Sequence, residues 1–495
     1  MSGFPGISGL FLNEGLLIRQ SSKGIYGIGI PDCGLKDSEL KKTPADYINK
    51  KFVRKNAPGL PEVSEPTVVR HFTRLSSWNM CIDSAFYPLG SCTMKYNPKV
   101  NELVGSFGNI RDLHPLTPVR FVQPALKIIY DFNLILCCLT GLNEFSFSPQ
   151  AGAAGEFTGL KVIKRYFDIK GEKRDIILIP DSAHGTNPAS SALAGFTPLE
   201  IKTGANGYIE AKEVEKYISK NVAAVMITNP NTLGIFEKDI KKISEIMHKN
   251  GSLVYMDGAN FNAFIGNVRV SEMGIDLIQL NLHKTFSTPH GGGGPGSGAV
   301  GVKGFLSDYL PVPYVSFNNG NYDLSEDKQY TIGRIAPFLC NFGVIIKAYA
   351  YILSLGNDNI SSVSEIAILN ANYIKKKLGE ILCGADPFKD KLCMHECVFT
   401  DKAIEEEGIS TLELAKLLID YGFHPPTVYF PKNIHGAIMI EPTETESVKT
   451  LDEFLNAIYK IMFKTKKSAA LKSPRKTKVR RVNEVLANKY PVFKY

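Results

Sequence analysis

No run of about 18 or more apolar residues occurs in the chain, so a membrane-spanning helix is not expected. A basic start is missing ahead of the first apolar stretch, Phe4 to Leu12, which argues against a secretory signal. Arg19 is the one early arginine and Glu14 interrupts the segment, so a mitochondrial transit peptide is not expected either. Nine cysteines among 495 residues are too sparse for a disulfide scaffold, and their odd number suits a reducing cytoplasm. Internal repeats and low-complexity segments are absent. Acids are missing between Lys464 and Arg481, where Lys464, Lys466, Lys467, Lys472, Arg475, Lys476, Lys478, Arg480 and Arg481 carry much of the net charge of +8. No aromatic is interleaved with these cations, which speaks against nucleic acid as a partner. The stretch reads as a solvated tail or as a dock for an acidic protein.

What is present is a chain of 44% hydrophobic residues, enough for a sizeable core, and two charged residues closing apolar runs. Asp257 follows Ser252 to Met256, a run that reads as a strand buried on both faces. Lys284 follows Asp276 to Leu282 and lies just ahead of the glycine-rich run Gly291 to Gly296. Alone, Asp257 reads equally well as a cap for the next turn, and a lone lysine is ordinarily a solvated surface residue. Together they match the need of a pyridoxal phosphate (PLP) enzyme: a lysine to form the Schiff base, and a buried carboxylate to hold the pyridinium proton so that a carbanion's charge can flow into the ring.

Two loops supply the rest of a cofactor site. Ser148 to Glu156 joins the strand-like Glu144 to Phe147 to a helical run, and its small residues, Gly152, Ala153, Ala154 and Gly155, would open a helix N-terminus that favours an anion such as the phosphate. A plain tight turn is the alternative. Asp175 to Pro180 reads as a strand, and Asp181 to Asn187 follows at its carboxyl end, where open α/β sheets bind ligands. His184 in that loop could lie flat against the ring, although a lone loop histidine is more often structural. Thr228 to Gly234 closes the strand Val222 to Ile227 in the same way.

Two other motifs are set aside. Gly291 to Gly296 formally satisfies G-x-G-x-x-G, but Pro289 precedes it, Pro295 interrupts it, and a strand-like Gly298 to Val302 follows where the dinucleotide fingerprint needs a helix. Cys393, His395 and Cys397 raise the idea of a metal, yet on a strand they would simply share one face, and no second ligand pair is near. A structural role is expected and no metal.

Strands near 144, 175, 197, 222, 252, 276 and 298 alternate with helices near 157, 188, 211 and 237, the pattern of a mostly parallel sheet with helices on both faces. The expected fold class is α/β. Residues 1–130 read as an extended, proline-punctuated arm that packs on a partner chain, 131–325 as the large domain, 326–465 as a smaller α+β domain with helices near 338–354, 362–380, 411–421 and 446–462, and 466–495 as a basic tail. The segment from Leu310 through Tyr330 is expected to be a crossover loop.

The motifs His283-Lys284-Thr285, Pro289 to Gly298, Asp181 to Ala189, Tyr87 to Pro98, Gly422 to Phe430 and Glu441 to Glu446 resemble the P-protein of the glycine cleavage system. Chain length and single-copy motifs resemble subunit 2, the PLP-carrying chain of the two-subunit form. The resemblance begins near Leu60; the residues before about 50 depart from it. It implies fold type I, the aspartate-aminotransferase-like fold, with Lys284 as the cofactor lysine, Asp257 as the pyridinium partner, His184 as the stacking histidine, Gly152, Ala153, Ala154 and Glu156 in the phosphate loop, and His283 and Thr285 beside the lysine. It also implies glycine as substrate, loss of carbon dioxide, transfer of the aminomethyl group to the lipoyl arm of H-protein, and subunit 1 as partner in a heterotetramer of two copies of each chain. Ser91, Cys92 and Thr93 fall near the active centre in that family. Another PLP enzyme of the same fold, releasing a free amine or exchanging amino groups, is the second reading; a noncatalytic half of a complex is the third, which retention of Lys284 and Asp257 opposes.

Overall fold

The computed structural model describes residues 14–25, 27, 43–56, 58–291, 296–477 and 480–492. Gly292, Gly293, Gly294 and Pro295 of the glycine run, Lys478 of the basic stretch and most of the divergent N-terminal residues lie outside the described residues. Two compact units result, one formed by Met1–Cys81 with Arg475–Tyr495 and one by Ile82–Pro474.

In the larger unit every strand expected around Lys284 is present. They are β1 (Glu144–Ser146), β2 (Ile176–Pro180), β3 (Thr197–Ile201), β4 (Val222–Thr228), β5 (Leu253–Gly258), β6 (Leu277–Asn281) and β7 (Gly298–Val302). Their order in one sheet is β1-β7-β6-β5-β4-β2-β3. Pairing is parallel from β3 through β6, while β7 runs antiparallel to both β6 and β1. All residues of β4, β5 and β6 are buried, which is why these strands read as continuous apolar runs instead of alternating ones. One core, including Phe132, Met256, Leu280 and Phe286, covers one face of the sheet; a second, including Leu160, Tyr255 and Val300, covers the other.

The helix Gly152–Lys170 lies across that second face at unusually short range. Cβ atoms placed on Gly152, Gly155 and Gly159 would fall 2.1 Å from Asn281 Nδ2, 3.3 Å from Gln279 Oε1 and 2.5 Å from the Tyr255 ring. These three glycines share one helix face by their spacing, so the helix meets β5 and β6 with backbone and brings its own first turn over their carboxyl ends.

A third core gathers the far end of the long helical run Phe342–Ile381, the helices Thr411–Asp420 and Val448–Lys464, and a small antiparallel sheet made of Cys397–Phe399, Ile438–Ile440 and Thr427–Val428. The two helices expected near 338–354 and 362–380 are both present within Phe342–Ile381, separated by a kink at Gly356, whose φ of 68° and ψ of 178° are not helical. The first part of the basic stretch is built into this core: Lys467–Ala470 forms a short helix, and Ala470 is fully buried.

Two segments carry more structure than the sequence reading gave them. Leu310 through Tyr330, expected as a loop, contains an antiparallel hairpin, Tyr314–Asn318 with Asn321–Ser325, turned at Asn319 and Gly320, both with positive φ. Asn-Gly between two short strands is the standard signal for that turn. The expected extended arm contains the helices Glu65–Ser76 and Lys99–Gly105. Ser64 caps the first of them and Pro66 occupies its opening turn, where a proline favours the helix instead of breaking it. In the smaller unit this helix is tied down by Glu14, which accepts hydrogen bonds from His71 and Arg74 at 2.8 and 3.0 Å.

Candidate active site

The parallel register aligns Thr228 of β4, Asp257 of β5 and Gln279 of β6 in one row at the carboxyl ends of their strands. Three polar side chains in a dry row require partners, and Asp257 has three: the Ala259 N–H and the Gln279 amide donate to Oδ1, and Asn187 donates to Oδ2 at 3.0 Å. The carboxylate is 2% exposed, and these donors fix its plane. Gln279 also donates to Asn281 Oδ1 at 3.1 Å, which orients the last polar side chain of β6.

Beyond Asn281 the chain turns through the short helix Leu282–Thr285, which carries Lys284. Its Nζ donates to the Ser91 carbonyl at 2.8 Å. Ser91 and Thr93 hold positive φ values of 65° and 47°, so this loop is strained, and it forms a wall of the same cavity. Ser91, Gly152, Ala153, Glu156, His184, Asp257, His283 and Lys284 all line that cavity, about 440 Å³ in volume and within the range of small-ligand sites. The lysine and the acid that the sequence reading paired across β5 and β6 thus face one space. Ala154 and Thr285, named with them, do not line it: the Ala154 carbonyl accepts from Thr158 inside the helix, and the Thr285 carbonyl accepts from Lys95 at 2.8 Å.

The helix Gly152–Lys170 opens at the cavity with no side chain capping its first turn, which leaves N–H groups and the positive end of its dipole for an anion. Glu156, one turn further on, accepts from Thr186 at 2.8 Å and Ser190 at 3.1 Å. Burial, and then the charge of Asp257, push its carboxyl up to about 7. It ties this helix to Thr186–Leu193. His184 sits at the start of that second helix, with the Thr186 N–H donating to Nδ1 at 3.3 Å and its ring 5.6 Å from that of Phe430. Burial and the neighbouring Lys284 hold His283 down at about 4, so it is neutral near pH 7.

Several groups escaped the sequence reading. Gln279 and Asn281 were counted within an apolar strand, although polar side chains at alternate positions of a fully buried strand are themselves a signal. Lys95 is buried with four partners: Glu444 at 2.7 Å, the Thr285 carbonyl, Asn262 at 2.9 Å and the Tyr351 hydroxyl at 3.1 Å. It braces the turn that carries Lys284. Cys393 and Cys397 do not gather around His395, whose imidazole lies instead with the carboxyl groups of Glu396 and Glu441. Thr228 and Gln279 line the cavity, and Thr228 Oγ1 and Gln279 Oε1 are buried without a hydrogen-bond partner. Unsatisfied polar atoms beside an amine, a carboxylate and an open helix end suit a polar, anionic, aromatic ligand of the PLP type.

Comparison with known proteins gives six findings. Residues 363–484 match the family model of the glycine dehydrogenase C-terminal domain, and residues 158–294 match that of class-V aminotransferases. A probable glycine dehydrogenase (decarboxylating) subunit 2 from Kosmotoga olearia is 50% identical over 97% of this chain and 99% of its own length. The protein of the same description from Thermotoga maritima is 48% identical over the same shares. Among solved structures, an inhibitor-bound glycine decarboxylase (P-protein) superposes with a TM-score of 0.72 at 18% identity, covering 87% of this chain and all of that one. A cysteine desulfurase from Escherichia coli superposes at 0.59 and 14% identity over 79% of this chain and 95% of that one, a likeness of fold alone.

Proposed function

This chain belongs to the family of glycine dehydrogenase (decarboxylating) subunit 2, and we propose that the cavity around Lys284 is where it decarboxylates glycine with pyridoxal phosphate. The observation that carries the assignment is the convergence of the Lys284 amine, the triply held Asp257 carboxylate and an uncapped helix end on one cavity. When bound, the cofactor supplies a conjugated ring that takes up the electron pair left on the α carbon as carbon dioxide departs.

The chain's own groups do the rest. Lys284 would hold the cofactor aldehyde, and the Ser91 carbonyl beside it accepts the amine's hydrogen bond when the nitrogen is free. Asp257 would hold the proton on the ring nitrogen, with its three donors preventing it from swinging away. Gly152 and Ala153 would present N–H groups to the phosphate, and His184 would lie against the ring. Glu156 would brace this wall and leave phosphate binding to the helix end. Water would have to be kept from the α carbon, because it would protonate it before transfer.

Partners follow from the family reading. The relatives' designation as subunit 2 supports a partner subunit and glycine as substrate. We infer that the aminomethyl group passes to the lipoyl arm of H-protein, that two copies of each subunit assemble, and that the basic stretch beginning at Lys464 docks the acidic carrier. Free cysteines among the described residues support a cytoplasmic setting. No helix among those residues is long and apolar enough to cross a membrane.

The test is exchange of labelled bicarbonate into the carboxyl of glycine, with and without lipoylated H-protein and the partner subunit. Exchange that requires both is the expected result. Exchange indifferent to the lipoylated carrier would instead assign the chain to a decarboxylase that releases a free amine.

A further inference from the structure

Behind the loop that receives Lys284 lie two carboxyl groups carried beside the small antiparallel sheet, and no step of the decarboxylation uses them. Glu396 and Glu441 are both fully buried. Glu396 Oε2 accepts the Ser91 N–H at 2.8 Å, and Glu441 Oε2 accepts the Thr93 N–H at 2.9 Å. The remaining oxygen of each, and both nitrogens of the fully buried His395, have no hydrogen-bond partner, and His395 Nε2 lies 3.7 Å from Glu396 Oε1. Ligating atoms of the three side chains lie within 4.8 Å of one another. Ser91 and Thr93, the residues so held, are those with left-handed backbones, and the Ser91 carbonyl is the acceptor for Lys284 Nζ.

We propose that Glu396 and Glu441 together form a single buried counter-charge that positions Lys284, holding the strained Ser91–Thr93 loop so that its carbonyl seats the free amine. Without these acceptors the buried Thr93 N–H and the half-buried Ser91 N–H would lose their partners and the positive-φ turn would lose the bonds that hold it. Two carboxylates so close in a water-free site do not both ionise near neutral pH, so the pair keeps a proton, and the one negative charge the proposal gives it answers the Lys284 cation. Burial first, and then the charge of Glu441, raises Glu396 well above the ordinary carboxyl range; burial likewise raises Glu441. Lys284 acts on both in the opposite direction and is the cation whose field reaches them. His395 supplies no positive charge, because burial and then Lys284 depress it to about 3.

Other titratable or charged groups around the lysine are accounted for on each wall. Cys92 lies on the same loop, its thiol raised by burial. Lys95 is neutralised by Glu444. His184, His283 and His290 are all lowered, chiefly by burial. Asp257 and Glu156 face the cavity from the sheet and its covering helix. The Glu396 and Glu441 pair is thus the contribution of the small antiparallel sheet and its flanks to the charge balance at Lys284.

This inference rests on the assignment of Lys284 as the cofactor lysine. The experiment is a pH titration of the visible absorbance of the cofactor-loaded protein, comparing wild type, Glu396→Gln, Glu441→Gln and the double variant. Glutamine keeps an acceptor oxygen for the loop but carries no charge. Because one member is already protonated, each single variant leaves the charge in place, and its midpoint is expected near that of the wild type. The double variant removes the charge, and its midpoint falls by about 1 pH unit or more. A single variant that shifts as far as the double, or a double variant that does not shift, overturns the proposal. Should the variants not fold, amide exchange at Ser91 and Thr93 in the wild type decides: slow exchange is expected, and exchange at open-loop rates overturns it. Failure of the underlying assignment shows separately, as a wild type without the visible band or a Lys284→Ala variant that retains it.

Discussion

At the scale of single residues, the site is a set of charges whose neighbours decide what they can do. Lys284→Ala is expected to abolish the visible absorbance of the bound cofactor, checked by spectrophotometry at constant cofactor content. Asp257→Asn keeps the size of the side chain but removes the charge, and should lower decarboxylation by about 100-fold or more, the usual cost of losing one preorganised electrostatic contact. Bicarbonate exchange measures it. The lysine and the aspartate were legible in the sequence because each closes a run too apolar to tolerate an unpaired charge. Glu396, Glu441 and Lys95 were not legible, since their partners lie hundreds of positions away and no local pattern marks a long-range contact.

At the scale of elements, strands were readable and close approaches were not. The seven strands of the main sheet announce themselves as short apolar runs between turn residues. Gly152, Gly155 and Gly159, by contrast, gain their meaning from what they face, and the sequence does not name Asn281, Gln279 or Tyr255 as the neighbours. Gly159→Ala would drive a methyl group into the Tyr255 ring, which is fully buried and hydrogen-bonded to the Gly155 carbonyl at 3.0 Å. A loss of about 1–3 kcal/mol is expected from such overpacking, read by chemical denaturation. The helix Thr411–Asp420 begins with a reciprocal capping box between Ser410 and Glu413. Ser410→Ala should cost about 1 kcal/mol by the same measurement and leave cofactor binding unchanged.

At the scale of the whole molecule, the buried His395 contributes to the loss of stability in acid. His395 is fully buried with its folded value near 3, against an ordinary value of 6.5. The unfolded chain therefore binds a proton that the folded chain refuses, and stability is lost as pH falls below about 6.5 toward the folded value. Glu156, held up at about 7, works in the other direction, so the net profile of the wild type is a sum of opposed contributions. The comparison that isolates His395 is with His395→Leu, whose thermal midpoint is expected to rise relative to wild type as pH is lowered from 7 to 4. A constant difference across that range would remove the histidine from the acid response.

Thr93 and Glu441 stand 348 positions apart, yet one hydrogen bond between them helps close the wall behind Lys284. Chain-distant contacts of this kind form late, because loop closure must be completed before they are rewarded. Refolding should therefore regain helical circular dichroism well before it regains the capacity to capture the vitamin aldehyde. The coenzyme in this way becomes a reporter of assembly: its colour returns when the last segment of the polypeptide has found its place.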